Sequence, residues 1–240
     1  MHNQNELLDF LKKFKGKKVS LYADIETFTC NKNEGIEHPT KYHSFTYSLA
    51  IAYFNDGDFP KVAVFNNFYD FFEKVKERKI RKSLSFDFIF HNGEKFDNHF
   101  FIEEMQAYYN LPVYTEYNKN ANNLANEHAR KMSTIDTEEK KHGLVLESRV
   151  KSSNNVSVKA YVYSRRVEFI DSFKKMNTSI AVLGKMLLNN GFITEEYLKT
   201  DFDYQCFDKD EDIERETVKT YVKRCFESLN EKQMIYIRND

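Results

Sequence analysis

Two hydrophobic rhythms run along the chain. Leu7, Leu8, Leu11 and Phe14 recur at helical spacing before Gly16, which predicts a helix over Glu6 to Phe14. From Val19 to Phe28 the period shortens to two. Val19, Leu21 and Ala23 alternate with Ser20, Tyr22 and Asp24, the pattern of a strand that ends in acids. Further strands are predicted at Thr46 to Phe54 and Lys61 to Phe65, joined by a turn at Asp56 to Asp58. Phe68, Phe71, Phe72 and Val75 return to helical spacing, so Asn67 to Lys79 reads as a helix. Phe86 to Phe90 reads as a fourth strand, leading into a segment whose latter part is helical, and Leu111 to Thr115 as a short fifth. The polar, Asn-rich stretch from Glu116 to His142 predicts an insertion or mobile arm, set at 117–142. A β-hairpin and one more strand follow between Gly143 and Ile170, turning at Ser152 to Asn155; this inserted hairpin region is expected to lie apart from the sheet or to extend it. Helices are predicted at Ile180 to Asn189 and Glu214 to Leu229. Asn230 and Gln233 form a cap-like pair opening the final segment to Asp240. Strands interleaved with helices predict an α/β fold.

Composition narrows the class. At about 150 residues per domain, 240 residues predict one large domain or one domain with appendages. With 41% hydrophobic and 30% charged residues the chain is globular and not disordered. Only 7 Gly and 3 Pro predict long elements with few tight turns. The 22 Phe and 15 Tyr, with no Trp, supply a core and some rings that could stack on bases. A net charge of -1 makes bulk attraction to nucleic acid weak, so contact with DNA has to come from local patches or metal ions. Basic clusters stand at Lys12 to Lys18, Arg78 to Lys82 and Arg165-Arg166; such runs either track a phosphate backbone or are solvated faces. Cys30, Cys206 and Cys225 contain no CxxC pair and read as reduced thiols. The first ten residues lack the apolar core of a signal peptide, and the longest apolar run, Leu49 to Phe54, is too short to span a bilayer. A soluble, cytosolic-type protein with no membrane partner is expected.

Three patterns could carry chemistry. Asp24 and Glu26, at i and i+2 on a strand, point to the same side. Paired carboxylates repel unless divalent cations, which prefer oxygen ligands, relieve them. Asn92 to Asp97 (NGEKFD) lies between a strand and a helix. Tyr236 and Asp240, at i and i+4, share a helical face. Taken singly, each has a plain alternative: two solvated acids, a turn with a helix-starting acid, and a Tyr above an Asp on a helix surface.

Taken in order, DIE, N-x3-F-D and Y-x3-D resemble the three motifs of the DEDDy 3′–5′ exonucleases. More closely, the chain resembles the N-terminal exonuclease domain of the protein-primed family B DNA polymerases of small tailed phages. Asp171 to Lys175 (DSFKK) resembles that family's Ser-Leu single-strand-binding motif, with Phe for Leu. Lys199 to Tyr204 (KTDFDY) resembles the segment carrying its catalytic lysine. The second motif has three residues between Asn92 and Phe96 where the closest relatives often have two.

The resemblance implies a ribonuclease H-like fold, a mixed sheet with helices on its faces. It implies an exonuclease domain over 1–240, with a polymerase domain expected after Asp240 that this sequence does not contain. Asp24, Glu26, Asp97 and Asp240 would hold two Mg2+ or Mn2+ ions, Tyr236 would position the attacking water, and Lys199 would meet the scissile phosphate, its alternative being a solvated surface lysine. Thr27, His91, Asn92, Phe96, Phe100, Ser172 and Phe173 would contact DNA. Phe96 and Phe100 equally fit a core stripe, and His91 a satisfied buried histidine. The implied partners are the 3′ end of single-stranded DNA, a terminal protein primer and the polymerase domain, in the cytoplasm of an infected bacterial host. The implied activity is proofreading hydrolysis within a DNA-directed DNA polymerase. Two other readings stand beside it: a free-standing DEDDy nuclease, and a non-catalytic module binding single-stranded DNA or the terminal protein.

Overall fold

A computed structural model describes residues 3–29, 44–55, 60–118, 130–135, 143–150, 155–198 and 222–239. In chain order the elements are α1 (Gln4–Lys13), β1 (Lys18–Thr29), β2 (Ser44–Tyr53), β3 (Lys61–Phe65), α2 (Phe68–Glu77), β4 (Ser85–Phe90), α3 (Asp97–Tyr109), β5 (Val113–Asn118), β6 (Leu144–Val150), β7 (Val156–Val162), β8 (Arg165–Asp171), α4 (Ile180–Asn189) and α5 (Glu231–Asn239). The predicted turn at 56–58, the predicted turn at 152–155 apart from Asn155, most of the predicted insertion and the first part of the predicted helix at 214–229 fall outside the described residues; of that helix, 222–227 is helical.

The strands form one mixed sheet in the order β3-β2-β1-β4-β8-β7-β6-β5. β1, β2 and β3 make an antiparallel meander. β4 returns through α2 to lie parallel to β1, and β8 lies parallel to β4. The hairpin of β6 and β7 extends the sheet beyond β8, and β5 closes the edge parallel to β6. β5 runs to Asn118 and so takes in the first two residues assigned to the insertion. Its polar residues read as loop, yet an edge strand tolerates them: Tyr117 is exposed and the Thr115 hydroxyl donates to Glu147 at 2.9 Å.

Alternation along β1 decides what each face carries. Val19, Leu21, Ala23 and Ile25 are buried in the main core with α1, α2 and α3. Phenylalanine builds much of this face. Phe68 of α2 stands within 6.1 Å, ring centre to ring centre, of Phe88, Phe90, Phe101 and Phe169. Phe90 and Phe169 stack across β4 and β8 at 5.6 Å. The other face is covered by α5. Met234, Tyr236 and Ile237 pack with Phe226 on Ala50 of β2 and Val64 of β3. The Asn230–Gln233 pair opens α5 reciprocally: the Asn230 amide donates to Gln233 Oε1 at 2.9 Å and the Gln233 amide to Asn230 Oδ1 at 3.0 Å.

Candidate active site

β1, β4 and β8 are parallel neighbours, so their carboxyl ends share one rim of the sheet. Tyr22 is level with Ile89, and Phe90 with Asp171. Asp24 and Glu26 therefore extend β1 past the end of β4, beside the segments that leave β4 at His91 and β8 at Ser172. The chain departs from β1 to β2 on one side, while β4 lies on the other. Such a switch point, outside the carboxyl ends of parallel strands, is where open α/β sheets bind ligands.

The first two carboxylates sit on the α5 face. Asp24 pairs across the ladder with Ala50, and directly paired residues share a face. Ala50 packs in the cluster that holds Tyr236, which is 5% exposed. Glu26 is 8% exposed, and the ladder shifts register between Glu26 and Thr27. A bulge at this point re-aims the strand end, a common device beside functional sites. Asp97, 4% exposed, reaches the same end of the sheet as the first residue of α3.

The turn between β4 and α3 is held by β8. One Asp171 carboxylate oxygen accepts from the amides of Asn92 and Phe173, both at 2.9 Å, and the other from the amide of Glu94 at 3.3 Å. Asn92 adopts φ 67, a left-handed conformation that Asn tolerates better than most residues. Gly93 is required by close approach, since a Cβ there would lie 2.5 Å from Phe90 Cβ. Deeper in the turn, the Glu94 carbonyl accepts from Val156 at 2.7 Å, and the Asn98 amide group donates to the Val156 carbonyl at 2.6 Å.

Of the predicted DNA-contact residues, His91, Asn92, Phe96, Ser172 and Phe173 lie in or beside this turn, while Phe100 follows on α3 and Thr27 stands on β1. His91 Nδ1 is 3.1 Å from Ser172 Oγ. His91 Nε2 lies 2.7 Å from the Thr178 carbonyl, which can only accept, so Nε2 carries a proton. The His91 and Phe173 rings meet edge to face at 5.3 Å, and Lys95 Nζ lies 5.7 Å from the Phe173 ring centre. Phe96 is 48% exposed, whereas Phe100 is buried in the main core and backs the Phe96 ring at 5.0 Å. Thr27 is half-buried just past the bulge. Lys174 pairs with Glu94, whose second carboxylate oxygen is buried without a hydrogen bond.

Lys199 and Asp240 lie outside the described residues. Among the described residues no three His, Cys, Asp or Glu side chains are grouped to hold a metal ion. The donor chemistry of Asp24, Glu26 and Asp97 is all carboxylate, which fits Mg2+ or Mn2+. The three basic clusters stand at the opposite end of the sheet, around the starts of β1, β4 and β8. Arg165 is 3% exposed and donates to the Ile80 and Tyr163 carbonyls, so it is a structural cation.

No protein-family model, curated protein or solved structure matches this chain. Local geometry is therefore what bears on function. Sequence reasoning misses Glu94 and the clamping role of Asp171. An acid inside the N-G-E-K turn and an acid ending a strand are the available signals, and neither shows which amides it meets until β4 and β8 are known to be neighbours.

Proposed function

We propose that this chain is a metal-dependent 3′–5′ exonuclease acting on single-stranded DNA, the proofreading part of a protein-primed DNA polymerase. What supports the reading is that Asp24 and Glu26 at the end of β1, and Asp97 at the start of the helix that follows β4, belong to the same rim of the sheet, with Tyr236 packed on the face that Asp24 shares. The strand order β3-β2-β1-β4-β8, with β2 alone antiparallel to its four companions, is compatible with a ribonuclease H-like fold and supports the same reading.

In this proposal Asp24, Glu26, Asp97 and Asp240 hold two Mg2+ or Mn2+ ions. Such ions, when bound, activate water and stabilise the leaving 3′ oxygen of a phosphodiester. The Tyr236 hydroxyl orients the attacking water, because a neutral phenol is a better hydrogen-bonding guide than a base. Lys199 offsets charge on the scissile phosphate. The exposed Phe96 ring and the Phe173 ring stack on terminal bases, Ser172, Asn92 and Thr27 bond the sugar and phosphate, and His91, whose two ring nitrogens already meet Ser172 and Thr178, positions Ser172. Stacking accepts any base, as a proofreader must. The terminal protein and the polymerase domain are its proposed partners.

The test is degradation of a 5′-labelled single-stranded oligonucleotide by the 240-residue chain with Mg2+ or Mn2+. Shortening from the 3′ end is expected, together with a metal-dependent rise in Tm. Asp24→Asn with Glu26→Gln should remove both effects. Full activity in that double variant would overturn the site. Binding of the oligonucleotide without shortening would favour the non-catalytic module.

A further inference from the structure

The end of the sheet opposite the candidate active site is strongly basic. Two connections meet there: residues 14–17, between α1 and β1, and residues 78–84, between α2 and β4. They are tied together, with the Arg81 guanidinium donating to the Gly16 carbonyl and the Ser85 amide to the Lys17 carbonyl. Lys12, Lys13, Lys15, Lys17, Lys79 and Lys82 are all exposed. None of the six forms an ion pair among the described residues; of the acids nearby, Glu77 at the end of α2 is exposed, and three others pair elsewhere. Asp87 pairs with Lys18 at 2.7 Å, Asp9 with Arg78 at 3.9 Å and Glu168 with Arg166 at 2.7 Å.

Helix electrostatics account for only part of this. Lys12 and Lys13 lie in the last turn of α1 and complement its dipole. Lys15, Lys17, Lys79 and Lys82 lie beyond the helices. Lys79 holds φ 55 just past α2, a position where glycine is the unstrained choice. A lysine thus stands where its backbone is strained and where its charge meets no acid among the described residues. In a chain of net charge -1, this concentration of positive charge on one end is a local field and not a bulk property.

We infer that this basic pole binds the phosphate backbone of duplex DNA, behind the strand end that the carboxylate rim would process. Several features favour that occupant. No large apolar side chain is exposed within 12–18 or 78–84, so the surface offers charge and no stacking platform or membrane-inserting group. Lysines on two tied loops suit sequence-independent phosphate contact. From Lys18 to Asp24, β1 spans about 20 Å at ~3.3 Å per residue. That equals about six base-pair steps at ~3.4 Å, so one DNA can touch both ends of the sheet. This inference rests on nucleic acid being the substrate.

The test measures binding of a labelled 20-base-pair duplex of arbitrary sequence to the full chain in EDTA across a salt series. The variant carries Lys15→Gln, Lys17→Gln, Lys79→Gln and Lys82→Gln. The wild type should bind with a steep salt dependence. The variant should bind at least tenfold more weakly at low salt, with a log–log slope shallower by about 0.9 for each phosphate no longer neutralised. Its circular dichroism and its shortening of a six-nucleotide single strand should be unchanged. Equal affinity and slope in wild type and variant would overturn the inference. Wild-type binding to vesicles rich in phosphatidylserine, with no binding to the duplex, would overturn it in favour of a membrane. If short single strands are not degraded but the duplex behaves as expected, the exonuclease reading fails while the basic pole stands.

Discussion

Asp171 holds the candidate site together through three backbone amides, and Asp171→Ala removes all three acceptor interactions at once. A hydrogen bond to a charged group contributes about 1.5–3 kcal/mol. Two of these bonds are 2.9 Å and one 3.3 Å, and the carboxylate is half-buried, so water can replace part of what is removed. The expected cost is about 3 kcal/mol, which a domain with ~5–15 kcal/mol of stability survives folded. With a urea slope of ~2–3 kcal/mol/M this moves the unfolding midpoint down by about 1 M. Asp171→Asn is the graded control. It can keep the oxygen that serves Asn92 and Phe173 but turns an amino group towards the Glu94 amide, so it should fall between wild type and Ala. Urea unfolding followed by circular dichroism gives the magnitudes, and hydrogen exchange at Asn92, Glu94 and Phe173 gives the location. Exchange at those amides should accelerate in Asp171→Ala more than in the core strands. A midpoint within experimental error of wild type, or unchanged exchange at the three amides, would refute the clamp.

Burial pushes the Glu104 carboxyl up to about 8, opposed by the Thr46 hydroxyl and the Tyr69 and Phe68 amides. The unfolded chain ionises in the ordinary carboxylate range while the folded chain keeps the proton up to about pH 8, so stability should fall by roughly 4 kcal/mol between about pH 4.5 and 8. Glu104→Gln should make that fall shallower, the part due to Glu103, which burial raises to about 7, remaining, and should raise Tm at pH 8 by about 8–16 °C, read by thermal melts at pH 5 and 8; parallel pH profiles for the two proteins would contradict it. Phe96→Ala should weaken single-strand binding by the ~1–3 kcal/mol of a missing base stack with little change in Tm, whereas Phe100→Ala should cost ~3–5 kcal/mol of stability. Binding titrations and melts on the two variants separate the roles. Asn230→Ala should cost about 1 kcal/mol by opening the capping pair of α5, and should lower nuclease activity through Tyr236 more than it lowers global stability.

Strong periodicity makes an element legible from its residues alone. Val19, Leu21 and Ala23 alternate as expected, and the helix at 180–189 has its predicted bounds. The meander and the parallel return of β4 follow from short connections and a crossover helix. Non-local pairings are less accessible. The 143–170 region reads as a hairpin and strand, yet nothing local tells β8 to dock beside β4, and that pairing brings Ser172 to His91. β5 shows the same limit, because its polar edge residues carry little strand signal. At the site, sequence pattern selects residues that the fold gathers at one rim: His91, Asn92, Ser172 and Phe173. It cannot separate Phe96 from Phe100, since both lie on one helical stripe and only packing distinguishes the exposed ring from its buried backing.

Among the described residues the rim draws on two buried clusters, one on each face of the sheet. Asp97 arrives from the aromatic face, at the start of α3, whose Phe101 packs against Phe169 at 4.4 Å. Tyr236 arrives from the opposite face on α5, over a smaller cluster in which Ala50 and Val64 are the sheet's buried members. The larger core buries many aromatic rings, and the smaller one rests on a nine-residue helix opened by a single reciprocal cap. An isolated helix of that length is marginal, so its order depends on its packing against β2 and β3. Local opening of α5 should therefore cost less than global unfolding. In the proposed mechanism that opening withdraws Tyr236, and with it the proposed ligand Asp240 that follows α5 in the chain, while leaving Asp24 and Glu26 on β1 and Asp97 on α3. Weakening the cap should therefore lower turnover at saturating metal more than it lowers metal affinity, because three of the four proposed ligands stay in place. A loss of metal affinity as large as that of the Asp24→Asn, Glu26→Gln variant would place the other three carboxylates under the control of α5 as well.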